Sequence, residues 1–261
     1  MNQIRTAVAA LIAAWGLISD FQLPRSFIQR FRMKVPAVNV LVSMPWVGMA
    51  AGFLVLAAAW LVRLIFNPSA GALVFALAGT LLFFLKDSGR GFSLLLSYAA
   101  NRFTGEPAVT ALNRADSRLT ELLKNPVLLL ISVITVVLVL GMLFMLFYRG
   151  AGLWFAAVIG ADALIQARLC LETDRNTRMP FLHTAGKGRS RLGASAATAA
   201  VLMLICFPAV AALGAIVILW VWFWRELPNS GEFQDGWSAD WVTMYGFGGS
   251  LITLLCGMGL L

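Results

Sequence analysis

The chain has 261 residues, of which 60% are hydrophobic and only 12% charged, with a mean hydropathy of +0.84 and a formal net charge of +8. That leaves too little polar surface to coat a water-soluble globule, so the composition excludes a soluble enzyme and implies an all-α, polytopic membrane protein. One His and three Cys, far apart in apolar surroundings, form neither a disulfide framework nor a zinc-site spacing.

A span of about 20 apolar residues crosses the roughly 30 Å hydrocarbon layer. In chain order, residues 6–23 read as a first span or an interfacial helix, since Arg5 alone precedes them and no cleavage pattern follows. Apolar stretches follow at 38–66, 69–85, 125–147, 151–171, 193–224 and 244–261. The stretch 193–224 is longer than one span needs and is interrupted by Pro208. As one helix it would reach roughly 48 Å, so it reads as one kinked span or two short ones. The total is six to eight spans in a helical bundle that forms a single membrane-embedded domain over 1–261, without repeat or linker.

Fifteen of the twenty Lys and Arg fall in three connections, near 24–37, 86–124 and 172–192. The positive-inside bias places all three in the cytoplasm, as expected for a bacterial inner membrane protein in contact with the lipid bilayer. Beyond orientation, the charge suits either anionic lipid headgroups or a phosphorylated substrate. Nucleic acid is not an expected partner, because the aromatics sit in the spans and no reading motif appears. If 193–224 is a pair of helices, the loop 225–243 returns to the cytoplasm with Glu232, Asp235 and Asp240. If it is one span, they lie on the other side.

The second basic connection begins with "KDSGRG", residues 86–91, wedged between two apolar runs. Its paired glycines, like those of "AGKG" further on, would let backbone amides approach a phosphate, although neither is a Walker motif. Asp162 and Arg168 lie within the apolar stretch 151–171. Each ionisable group there is costly unless paired or hydrated. Six positions apart, they fall on different faces of a helix. Arg168 lies near the end of the stretch and can snorkel, whereas Asp162 is deeper and is expected to face the bundle interior or a wet cavity, as a buried acid held by a neighbouring helix or as a functional group.

Four local patterns in order, "FQLPRSF", "SMPWVGMAAG" with Pro45, Gly48 and Gly52, "ADSRL" with Asp116, Ser117 and Arg118, and "GKGRSR", resemble those of the cobalamin synthase family. These are the adenosylcobinamide-GDP ribazoletransferases, membrane enzymes of similar length and span number. The resemblance implies a transferase that joins a nucleotide-activated corrinoid to α-ribazole and releases GMP, with Mg2+ held by carboxylates. In this sequence it points to Asp87 and Asp116 as catalytic and metal-binding, with Glu106 as a further ligand, and to Arg90, Arg118, Lys187 and Arg189 as phosphate-binding.

The sequence also departs from the family. Of the acidic cluster expected around 86–103 only Asp87 is kept, and Asp162 stands where the family carries a Ser-Arg pair. The C-terminal Thr-Gly-Asp-Thr element has only a loose counterpart in "EFQDGWSAD". A catalytically degenerate homologue, acting as a membrane subunit or as a binder or carrier of an amphipathic ligand, is therefore the alternative expectation. The glycine-rich tail "YGFGGSLITLLCGMGLL" offers small residues for close packing within the chain or in a homo-oligomer.

Overall fold

The computed structural model describes residues 2–19, 37–86, 89–107, 110, 111, 115, 125–172, 194, 195, 198 and 239–260. Among them every long element is helical: α1 Asn2–Ser19, α2 Ala37–Ile65, α3 Pro68–Leu85, α4 Arg90–Phe103, α5 Pro126–Tyr148, α6 Leu153–Glu172 and α7 Ala239–Leu260. Three segments are long and apolar enough to cross a membrane: Asn39–Ile65, Pro68–Leu85 and Pro126–Tyr148. The expected apolar stretches at 6–23, 38–66, 69–85, 125–147, 151–171 and 244–261 correspond to α1, α2, α3, α5, α6 and α7. The stretch 193–224, beyond residues 194, 195 and 198, and the loop 225–238 lie outside the described residues.

Local chemistry sets the helix starts. Asn67 caps α3, its Oδ1 accepting from the Ala70 amide at 2.7 Å, with Pro68 in the first turn. Asn125 and Pro126 repeat the device at α5, where Asn125 Oδ1 accepts from the Val127 amide at 3.0 Å. Residues 66–67 close the α2–α3 hairpin and residues 149–152 close the α5–α6 hairpin. Pro45 lies inside α2 without ending it.

The bundle is built on α2 packing against α6, with α3 against both α2 and α5, α7 against α6 and α4, and α1 against α2. Lipid tails are as apolar as leucine, so helix association in a membrane relies on close packing rather than on expulsion from water. Gly48 and Gly52 supply that closeness. A Cβ at Gly48 would lie 2.7 Å from the Ile159 carbonyl, and one at Gly52 would lie 2.5 Å from Ala156 Cα. The Pro-x-x-Gly-x-x-x-Gly element is thus a seat for α6.

Aromatic rings fill the core. Phe75 meets Phe147 at 5.2 Å and Phe155 at 5.6 Å between centroids. Phe83, Phe84, Phe92 and Phe247 form a second group that ties the end of α3 and the start of α4 to α7, with Phe84 and Phe92 at 4.8 Å. In contrast, α5 turns Val127, Leu130, Val133, Val137 and Leu138 outward. An exposed row of this kind is what a lipid-facing helix presents.

Gly52→Leu is expected to prevent α2 from seating on α6. The opposing atoms are backbone, so the cost exceeds the roughly 1–3 kcal/mol of ordinary overpacking. Thermal unfolding of the purified protein in detergent should show a large loss of melting temperature, whereas Gly141→Leu, where an added Cβ meets nothing within 4 Å, should leave it nearly unchanged.

Candidate functional site

One helix, α3, stops at Leu85 and α4 starts at Arg90, and Lys86 and Gly89, the described residues between them, mark a break inside the bundle. Lys86 ends α3 with its amide on the Leu82 carbonyl at 3.1 Å. Gly89 then adopts φ 77°, a left-handed conformation that glycine takes without a Cβ penalty, and the Ser93 amide on the Gly89 carbonyl at 3.0 Å starts α4. Lys86 is only 3% exposed, and Gly89 and Gly91 are buried. Irregular backbone at membrane depth is tolerated where protein surrounds it or where it lines a watered cavity. Here Phe83 and Phe84 precede the break, Phe92 follows it, and all three rings meet Phe247 of α7.

From this break the Lys86 ammonium reaches Asp162 Oδ2 in an ion pair whose side chains are each 1% exposed. Asp162 lies halfway along α6, nine residues and about 14 Å from its start. Gln166, one turn on, donates its side-chain amide to the same oxygen at 3.0 Å. The ammonium also stands 5.2 Å from the centroid of the Phe83 ring. The other carboxylate oxygen, Oδ1, has no hydrogen-bond partner and faces α7 at Gly246, where a Cβ would come within 2.8 Å of it. Each charge alone would cost several kcal/mol at this depth, and together they are neutral.

Asp162 therefore faces the interior as expected, and its partner is Lys86, a residue that sequence reasoning left in the turn. The signal was available: a deep acid in one apolar stretch and a lysine directly following another.

Arg90, half-buried, is the first residue of α4, at the break itself. Glu106 follows the other end of α4, where its carbonyl accepts from Arg102 Nη1 at 2.7 Å. The 14 residues of α4 put about 20 Å between the break and that end, so Glu106 does not stand beside Arg90 and Lys86. Arg168 is in the second half of α6. Asp87, Asp116, Arg118, Lys187 and Arg189 lie outside the described residues. Among the described residues no three His, Cys, Asp or Glu gather as a metal site.

Two further bonds fix the surroundings. Ser195 accepts from Trp46 Nε1 and donates to the Val42 carbonyl, both at 2.7 Å, which holds the return end of the third basic connection on α2. Trp154 Nε1 donates to the Thr253 carbonyl at 3.3 Å, which joins α6 to α7. Comparison with protein families, with curated proteins and with solved structures finds no match to the chain.

Asp162→Asn is expected to leave the Lys86 charge buried without its counter-ion and to destabilise the folded protein by about 3–5 kcal/mol. Lys86→Met/Asp162→Asn, which removes both charges, should recover most of that loss. The melting temperatures of the two variants in detergent check this pair of outcomes.

Proposed function

We propose that the chain is a membrane-embedded transferase of the cobalamin synthase kind, with six to eight spans in a bacterial inner membrane, that joins a GDP-activated corrinoid to α-ribazole and releases GMP. The observation that carries this reading is the break between α3 and α4, where Lys86, Gly89 and Gly91 are buried and Arg90 stands at the start of a helix, in the part of the chain that the resemblance aligns with the family's metal-gathering motif. A helix start beside a basic side chain suits phosphate oxygens.

In this reading Arg90, with Arg118, Lys187 and Arg189 from the basic connections, holds the pyrophosphate and neutralises its charge. The Ser195 anchor on α2 supports it by fixing the chain a few residues beyond Arg189. A ribose hydroxyl of α-ribazole attacks the corrinoid-side phosphorus and gives up its proton to water, the bridging P–O bond breaks, and GMP departs with the electron pair. Asp87 and Asp116 would hold Mg2+, with substrate phosphates supplying further oxygen ligands, and the ion's chemistry is to stabilise charge on the phosphoryl oxygens. Glu106 is left out of this set, because it follows the far end of α4 from the break.

A second reading, a non-catalytic membrane subunit or a carrier of an amphipathic ligand, draws support from the Lys86–Asp162 pair. Two ionisable groups at the level of the family's motifs spend their charge on one another rather than on a ligand.

Purified protein in lipid, supplied with adenosylcobinamide-GDP and α-ribazole, should release GMP in the presence of Mg2+ and stop in chelator. Asp116→Asn should abolish release without loss of membrane insertion. Folded wild-type protein that releases no GMP would remove the transferase reading and leave the second one.

A further inference from the structure

The ion pair joins elements that are made at different times. Lys86 closes the α2–α3 hairpin, and Asp162 follows 76 residues later, in the middle of α6. The two hairpins differ in what they ask of the membrane. Pro126–Tyr148, the α5 segment, contains no Asp, Glu, Lys or Arg and has a mean hydropathy of 3.1. α6 carries Asp162, Gln166 and Arg168 among its 20 residues. A central Asp offsets the insertion preference of several apolar residues, and an isolated α6 would have to carry that charge into lipid.

We propose that the Lys86–Asp162 pair is an assembly lock: α6 becomes a stable transmembrane element only against a hairpin that already holds Lys86. The buried surroundings favour this role. Among the described residues, the Lys86 ammonium from the end of α3 and Gln166 from α6 itself bond the Asp162 carboxylate, and Gly246 of α7 stands where a Cβ would come within 2.8 Å of it. Lys86 is the cation among them, and at 1% side-chain exposure on both partners water does not replace it. The glycine at 246 lets α7 close over the carboxylate, so the last helix seats on a pair already formed. The lock also explains why a lysine is kept in a buried break, where an apolar residue would otherwise fit the aromatic surroundings.

The test uses the full-length chain with Cys170, Cys206 and Cys256 changed to Ser and Thr184→Cys placed in the connection after α6. Intact cells are treated with a membrane-impermeant maleimide. In the otherwise native background Thr184→Cys, expected on the cytoplasmic side, should stay nearly unlabelled. Lys86→Met should raise its labelling from outside by about tenfold or more, because α6 then fails to cross and leaves the connection outside. Lys86→Met/Asp162→Asn should return it to the starting level. If Lys86→Met instead fails to accumulate, recovery of accumulation in the double variant supports the lock, and continued failure overturns it. Labelling and yield of Lys86→Met equal to the background would also overturn it.

Discussion

A charge taken into an apolar bundle has to find its opposite, and in this protein that requirement falls on Lys86 and Asp162. The lysine of the pair directly follows α3, and beyond the break α4 packs against α7. Phe83, whose ring lies 5.2 Å from the Lys86 ammonium, joins Phe84, Phe92 and Phe247 in one apolar wall on that side of the pair. Such a wall strengthens attraction between paired groups and penalises either one alone.

Around this polar point the helices approach through small residues. Gly48 and Gly52 admit α6 to α2, and Gly246 admits α7 to the Asp162 carboxylate. The two contacts serve different ends. The first brings backbone against backbone to gain dispersion energy where no hydrophobic drive exists between helices in lipid. The second leaves a carboxylate oxygen against a glycine Cα, a position in which any side chain would displace the acid from its lysine. Motif glycines therefore have a packing explanation that is complete without reference to catalysis, whereas the buried break has none in packing alone.

The described apolar stretches were legible as long runs with little charge, and two helix starts carry Asn-Pro pairs at 67–68 and 125–126, whereas α1 and α7 begin four or five residues before their expected stretches because polar residues extend them. The inward position of Asp162 was legible for the same energetic reason. Its partner was not, because a lysine following a span reads as a surface residue under the charge rule, and the backward reach of its side chain depends on how α3 and α6 lie in space. The depth of the 86–91 wedge was hidden likewise: glycines, serine and charges have the composition of a surface turn. Glu106 was grouped with Asp87 and Asp116, which lie outside the described residues; α4, a continuous helix, carries Glu106 a helix length from Arg90.

The hairpin turns at 66–67 and 149–152 have a consequence of their own. They are so short that their end of the α2–α3 and α5–α6 pairs is little more than helix tips, with Gly150 at φ 78° making one reversal and Arg63 stacked 4.8 Å over Trp60 beside the other. Backbone of that length cannot fold around a solute or give a partner protein much to grip. The other ends of both hairpins lead into the three stretches that hold fifteen of the twenty Lys and Arg, so charge is divided unequally between the two kinds of connection before any ligand arrives.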